Sequence, residues 1–305
     1  MSIVVFGSIN MDLTAYVPKL PQLGETLQGS SYITAPGGKG NNQGAAAARL
    51  GAEVKFVGRV GKDIFGDQVL KIIAEQKVDI SQIMQDNEHG TGIAVICVDK
   101  NADNSIIIIS GANFALDDSD VARAKALMAD AKVLMLQLEV PLDACMKTAQ
   151  AAHEQGVKVV FDPAPAIPLP AEAFKLMDFI TPNETETEIL TGFKPANAED
   201  AAKAAKLFLE KGVGTAIIKL GAKGVYYENK NESGFVPPYK VTPIDTVAAG
   251  DAFNAGLSVA ISEGKPLAEA VRWGAAAGAI ATTRKGALPA MPYRDEVIKL
   301  MKEQA

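Results

Sequence analysis

The chain has 305 residues, 48% of them hydrophobic and 22% charged, and its formal net charge is −6. This is enough chain for one large core with a small appendage, and the negative balance excludes the basic field that gathers nucleic acid or anionic lipid. Small-molecule chemistry is therefore the default expectation. Cys97 and Cys145 are the two cysteines, His89 and His153 the two histidines. They form no Cys/His cluster, which argues against structural zinc, a disulfide framework and a Ser/His/Asp triad. No eighteen apolar residues run together and MSIVVFGSIN has no basic leader region, so a cytoplasmic location is expected, with no membrane partner.

In chain order, the branched apolar run in SIVVFGSIN predicts a first strand buried on both faces. Residues 18–40 are rich in Gly and Pro and read as loop. Residues 91–98 (TGIAVICV) and 105–110 (SIIIIS), separated by DKNADN, read as a hairpin. From about residue 117 helix and strand alternate: ALDDSDVARAKALMAD, KVLMLQLE, PLDACMKTAQAAHEQG, VKVVFDP, MDFITPN, AEDAAKAAKLFLEKG, TAIIKLG. That rhythm predicts a parallel sheet with helices on both faces. Residues 248–263 and 267–283 predict two Ala- and Gly-rich helices able to pack closely, and 294–303 a last amphipathic one. There is no repeat and no Pro/Ser-rich linker. The expected fold class is α/β, one domain over 1–305, with insertions at about 11–36 and 91–110 forming a small lid.

Three constellations carry chemistry. In DTVAAGDAFNAG, residues 245–256, small residues stand before a helix, so the amides of Ala248, Ala249 and Gly250 can converge on an anion. Asp251, in the first turn, is then near enough to take a proton from an attacking hydroxyl. A carboxylate that merely favours the helix dipole explains the same residues. In PGGKGNNQGAAAARLG, residues 36–51, a glycine turn leads into a helix, without the Walker A spacing. Lys39, Asn41 and Asn42 suit sugar hydroxyls better than phosphates, although a surface turn reads as well. Asn10 and Asp12 follow the first strand, where open α/β sheets bind ligands and where an amide and a carboxylate can grip a vicinal diol; an Asx turn is the plain alternative. In TPNETETEILTG, residues 181–192, Asn183 and Glu186 share a helix face and can hold hydrated Mg²⁺ against ATP phosphates, or form an ordinary acidic first turn. IKLGAKG, residues 218–224, ends a strand in a glycine turn that could touch nucleotide or close a hairpin.

GSINMD, GGKGNNQ, GANFAL, LMLQLEVP, DPAPA, TPNETE, DTVAAGD and TRKGALP occur in one order along one chain. By these stretches the sequence resembles the PfkB, or ribokinase-like, family of carbohydrate kinases over essentially its full length. The resemblance implies a three-layer α/β/α sandwich and phosphorylation of the 5-hydroxyl of a small sugar by ATP, with D-ribose first and 2-deoxyribose, another sugar or a nucleoside as alternatives. A sugar-binding sensor with a dead kinase site is a further class. By resemblance Asn10, Asp12, Gly38, Lys39, Asn42 and Glu139 would bind sugar, Asp251 would be the base, and Ala248, Ala249 and Gly250 the anion hole. Asn183 and Glu186 would organise Mg²⁺, and Lys219, Gly221, Gly224 and Gly250 would meet the nucleotide. An activating K⁺ would lie at Asp245, Val247, Ala281, Arg284, Gly286 and Ala290, mostly on backbone carbonyls. The lid would pair two subunits into a homodimer.

The chain departs from the family pattern in places. Ala290 stands where relatives often offer a serine, Ala275 where they can carry a histidine beside adenine, and Gly44 where alanine is usual. Met11 is expected to edge the sugar pocket and so to admit a deoxysugar.

Overall fold

The computed structural model describes residues 2–101 and 103–304; Ala102, in the expected hairpin turn, lies outside the described residues. The first half runs β1 (Ser2–Phe6), β2 (Asn10–Tyr16), β3 (Ser31–Gly37), α1 (Lys39–Arg49), β4 (Glu53–Gly61), α2 (Ile64–Glu75), β5 (Asp79–Asp86), β6 (Gly92–Val98) and β7 (Asn104–Ile109). The second half runs α3 (Asp118–Leu127), β8 (Ala131–Leu136), α4 (Leu142–Glu154), β9 (Lys158–Phe161), β10 (Phe179–Ile180), α5 (Glu184–Thr191), α6 (Ala198–Glu210), β11 (Thr215–Lys219), β12 (Val225–Asn229), β13 (Ser233–Val236), α7 (Ala249–Ser262), α8 (Leu267–Ala281) and α9 (Arg294–Glu303).

Nine strands form one sheet in the order β13-β12-β11-β10-β9-β8-β1-β4-β5, and four form a second in the order β3-β2-β6-β7. Pairings from β5 to β11 are parallel, and only the β11-β12-β13 edge is antiparallel. The alternation of β1 explains the layers. Its Ile3 and Val5 enter one core with residues of α1, α2, α7, α8 and α9. Val4 and Phe6 enter the other with residues of α3, α4, α5 and α6. All four are fully buried, each contributing about 1.5–3 kcal/mol, so a strand with two apolar faces requires helices on both.

The Ala- and Gly-rich helices pack as their composition predicts. A Cβ on Gly256 of α7 would stand 2.8 Å from the Trp273 carbonyl oxygen of α8, so only glycine allows that approach. No helix among the described residues is long and apolar enough to cross a membrane.

One expectation needs correction. The Gly- and Pro-rich stretch read as loop contains β3, which pairs antiparallel with β2 from Ser31 opposite Tyr16 to Gly37 opposite Asn10. Pro36 is tolerated because β3 is an edge strand, where a missing N–H breaks no central ladder. The β6 and β7 hairpin forms as expected, and β2 pairs parallel with β6.

Candidate active site

The candidate residues gather at the carboxyl ends of β1, β8, β9, β10 and β11, where an open parallel sheet leaves its binding crevice. After β1 the chain turns through Ser8 into β2. Asn10 is 5% exposed; its Oδ1 accepts from Nδ2 of Asn113 at 2.7 Å, which leaves its own amide hydrogens for a ligand. Asp12 lies across Gly37, where a Cβ would come within 2.3 Å of both carboxylate oxygens. Burial, with the nearby Glu139 charge, raises the Asp12 carboxyl to about 6. Met11, between them, faces the other way. It is 1% exposed and belongs to the core around α1 and α7, so its expected place on the pocket edge is corrected by the two-residue period of a strand.

Gly38 leads into α1 with φ of 87°, a left-handed conformation suited to glycine. Lys39 follows. Its backbone N–H donates to Glu139 Oε2 at 2.9 Å, which also accepts from Ser8 Oγ at 2.6 Å. Burial works against the Lys39 ammonium, but the carboxylates of Asp251, Asp162, Glu139 and Glu186 outweigh it and hold the group firmly protonated.

Asp251 stands in the first turn of α7 and is 3% exposed. Asn42 Nδ2 donates to its Oδ2 and Gln43 Nε2 to its Oδ1, both at 3.0 Å. Burial pushes its carboxyl up to about 6; the Lys39 charge pulls down, Asp162 pushes up, and the bonds from Gln43 and Asn42 pull down. Among the described residues Oδ1 of Asn42 is buried and accepts no hydrogen bond, which leaves it open to a hydroxyl.

The start of α7 is uncapped by any side chain, and Ala248, the residue before it, adopts φ 57° and ψ 14°. For a non-glycine residue that conformation costs about 1–2 kcal/mol. Ala249 N–H is turned back to the Thr246 carbonyl at 3.3 Å, whereas among the described residues the N–H groups of Gly250 and Asp251 meet no acceptor. The Ala248 N–H likewise meets no acceptor among the described residues, so the expected Ala248 to Gly250 stretch keeps free amides at this helix start, with Asp251 N–H beside them. Lys219 Nζ lies 3.4 Å from where a Cβ on Gly250 would stand, which adds a cation to the free amides.

Asn183 and Glu186 meet as a full capping box. Asn183 N–H and Nδ2 donate to the two Glu186 oxygens at 2.8 and 2.9 Å, and Glu186 N–H donates to Asn183 Oδ1 at 2.8 Å. Burial raises the Glu186 carboxyl, against the pull of Lys219. Each carboxylate oxygen keeps a lone pair, so the pair can also face a hydrated cation. Gly221 and Gly224 sit in the turn after β11, with φ of 54° and 112°.

The second cation candidate is a loop cluster. Asp245 accepts from Val247 N–H at 3.0 Å and Gly286 N–H at 2.9 Å, and its own N–H reaches the Thr282 carbonyl at the end of α8. The Arg284 side chain pairs with Glu296. Among the described residues the carbonyls of Val247, Arg284, Gly286 and Ala290 accept no backbone hydrogen bond, and that of Ala281 accepts a long one, 3.4 Å, from Arg284 N–H. A carboxylate beside free carbonyls suits a hard monovalent ion, so the residues fit. Ala275 is half-buried on α8 against the core.

Five residues without an assigned role belong to the site. Ser8 binds Glu139, and Asn113 clamps Ile9 through N–H to Oδ1 at 2.8 Å and Nδ2 to carbonyl at 3.1 Å. Gln43, Gln137 and Asp162 form a buried chain behind Asp251. Each stands in a stretch that carries the family resemblance, but nothing local marks it.

The family model described as pfkB family carbohydrate kinase matches residues 1–294. A ribokinase of Haemophilus influenzae is 45% identical over 300 residues, 98% of each chain. A deoxyribokinase of Salmonella typhimurium is 35% identical over 254 residues, 83% of each. The solved structure of Arabidopsis thaliana ribokinase complexed with ribose and ATP superposes with a TM-score of 0.92 at 34% identity, over 98% of both chains. With its sheet order, its crevice and these matches over nearly its whole length, the chain belongs to the pfkB family of carbohydrate kinases.

Proposed function

We propose that this protein transfers the γ-phosphoryl group of ATP to the 5-hydroxyl of D-ribose, giving ribose 5-phosphate and ADP. The observation that carries the reading is a buried, hydrogen-bonded Asp251 beside the free amides of an uncapped helix start. The ribokinase of Haemophilus influenzae and the ribose and ATP complex of the Arabidopsis enzyme support the choice of substrates. Asn10, Asp12, Gly38, Lys39, Asn42 and Glu139 seat the sugar. As the 5-oxygen bonds to the γ-phosphorus, its proton passes to the Asp251 carboxylate, the bond to the β–γ bridging oxygen breaks and ADP departs. The amides at the start of α7, Ala248, Ala249 and Gly250, with Lys219, meet the charge on the transferring group. Gly221 and Gly224 border the nucleotide.

Asn183 and Glu186 would hold hydrated Mg²⁺, which when bound would neutralise phosphate charge. Asp245 and the carbonyls of Val247, Ala281, Arg284, Gly286 and Ala290 would hold K⁺, which when bound would stiffen the loop leading into α7. A sugar panel at fixed MgATP, run in K⁺ and in Na⁺ and read as ADP produced, tests both assignments. D-ribose should give the highest kcat/KM, and rates should be higher in K⁺. Preference for 2-deoxyribose would move the assignment toward the Salmonella relatives, equal rates in both salts would remove the K⁺ site, and sugar binding without ADP would make the protein a sensor.

The small sheet covers the crevice as a lid and pairs with a second copy of the chain. Ile106, Ile107, Ile108 and Ile109 are 49–60% exposed along β7, an edge strand, and such a row is a template for pairing. Light scattering should give about twice the 32.0 kDa chain mass, and Ile107→Asp should halve it. A monomer mass for the unsubstituted protein would overturn the dimer.

A further inference from the structure

Behind Asp251 lies a chain of buried side chains that the reaction as written does not use. Gln43 of α1 is 1% exposed, and its Nε2 donates to two carboxylates at once, Asp251 Oδ1 and Asp162 Oδ2, each at 3.0 Å. Its Oε1 accepts from Gln137 Nε2 at 2.8 Å. This orientation has no alternative, because a flipped amide would set its oxygen against two carboxylates. Asp162, 2% exposed at the end of β9, also pairs with Lys219 Nζ at 3.3 Å. Lys219 in turn stands at the start of α7. The network therefore runs from the phosphate end of the crevice to the far side of the base, without passing through the sugar pocket.

We propose that Gln43 is a positioning residue, which locks the Asp251 carboxylate to the Asp162–Lys219 pair so that base and phosphate end keep one mutual geometry. The proposal rests on the reading of Asp251 as the base. Asn42 alone leaves the carboxylate free to rotate about its last bond; the second donor, on the other oxygen, removes that freedom. Each oxygen keeps a lone pair for the substrate hydroxyl. A buried network of this kind selects one arrangement more than it adds stability. The network is held at a cost: among the described residues Gln137 Oε1 is buried without a partner, a penalty of the sort found where geometry is being held for function.

Charged groups facing Asp251 are Lys39 from α1 and Asp162 from the end of β9, with Lys219 from the end of β11 beside the start of α7. Gln137, after β8, is neutral, and α8 meets this end of α7 through Gly278, whose Cβ would lie 3.0 Å from the Ala249 carbonyl oxygen. Two substitutions should therefore move the acid limb of the kcat/KM profile in opposite directions. Gln43→Met keeps the length but removes a donor that favours the ionised carboxylate, so the limb moves to higher pH. Asp162→Asn removes a neighbouring negative charge, so it moves to lower pH.

For Gln43→Met, kcat should fall about 10- to 100-fold, the size of losing a hydrogen bond to a charged group, while KM for ribose and for ATP stays within about threefold. Unchanged kcat with an unmoved limb would overturn the proposal. So would a loss in which kcat, both KM values and the unfolding midpoint all worsen together. Should Gln43→Met fail to fold, Asp162→Asn decides alone, an unmoved limb counting against the proposal. Asp251→Asn is measured alongside. Normal turnover there would remove the base itself, whereas an inactive Asp251→Asn beside an unaffected Gln43→Met would sink only the role of Gln43.

Discussion

Asp251→Asn is expected to lower kcat by about 10²–10⁴-fold, the range of a positioned general base, while the protein remains folded and binds sugar. The substitution keeps the shape of the side chain and removes its ability to take a proton. Its effect on stability has the opposite sign. Burial raises the folded carboxyl from 3.8 to about 6, so between those values the folded state holds more protons than the unfolded one. Stability from this group is present at low pH and is lost as pH rises through about 6. At pH 7 the ionised carboxylate destabilises the fold, and the neutral Asn should leave the unfolding midpoint unchanged or higher. Activity lost together with stability gained is what a residue kept for chemistry shows. In the parent enzyme kcat/KM should decline as pH drops through about 6, where both Asp251 and Asp12 take up protons. Turnover near the parent level in Asp251→Asn, or an acid limb well below pH 5, would contradict the base.

Asp120→Ala should produce the largest loss of stability, about 3–5 kcal/mol, read from urea unfolding. Asp120 is fully buried in the first turn of α3. It accepts from Arg59 Nε at 3.2 Å and Nη2 at 2.6 Å, from an Arg123 guanidinium nitrogen, and from Asp117 N–H at 2.8 Å. Removing it takes the carboxylate partner from Arg123, leaves Arg59 to Asp117 at 2.8 Å and Asp86 at 3.4 Å, opens a buried cavity and takes away half of a capping box. Because this cluster joins β4 to α3 away from the crevice, kcat of the folded variant should stay within about twofold. A loss below about 1 kcal/mol would mean that the ion cluster is solvated in solution.

The legible parts of the fold are those where a local rule and the tertiary environment agree. SIVVF reads as a strand buried on both faces, and β1 is that strand, inside the nine-stranded sheet between β8 and β4. The end helix, Arg294–Glu303, falls on the residues its apolar period marks. Asn183 with Glu186 is readable as a helix start because capping involves residues three apart. By contrast, β3 hides in a Gly- and Pro-rich stretch, because an edge strand with half-exposed faces needs no apolar run. Met11 shows the limit of adjacency. Standing between Asn10 and Asp12 in the chain, it is separated from both by the pleat.

What the sequence determined by itself is therefore the class of the fold, the family, and the residues that need only their neighbours: the uncapped small-residue start of α7, Asp251 in its first turn, the glycine entry to α1. What only the tertiary structure decided is how those residues are held. Asn113 reaches Asn10 across 103 positions, Glu139 reaches Ser8 across 131, and Gln43 joins Asp162 and Asp251 across 119 and 208. Such pairings follow from strand order at the carboxyl edge of the sheet, which brings the ends of β1, β8, β9 and β11 together. A hydrogen bond between distant side chains leaves no periodicity and no spacing in the chain, so it becomes visible only when burial removes water as the competing partner.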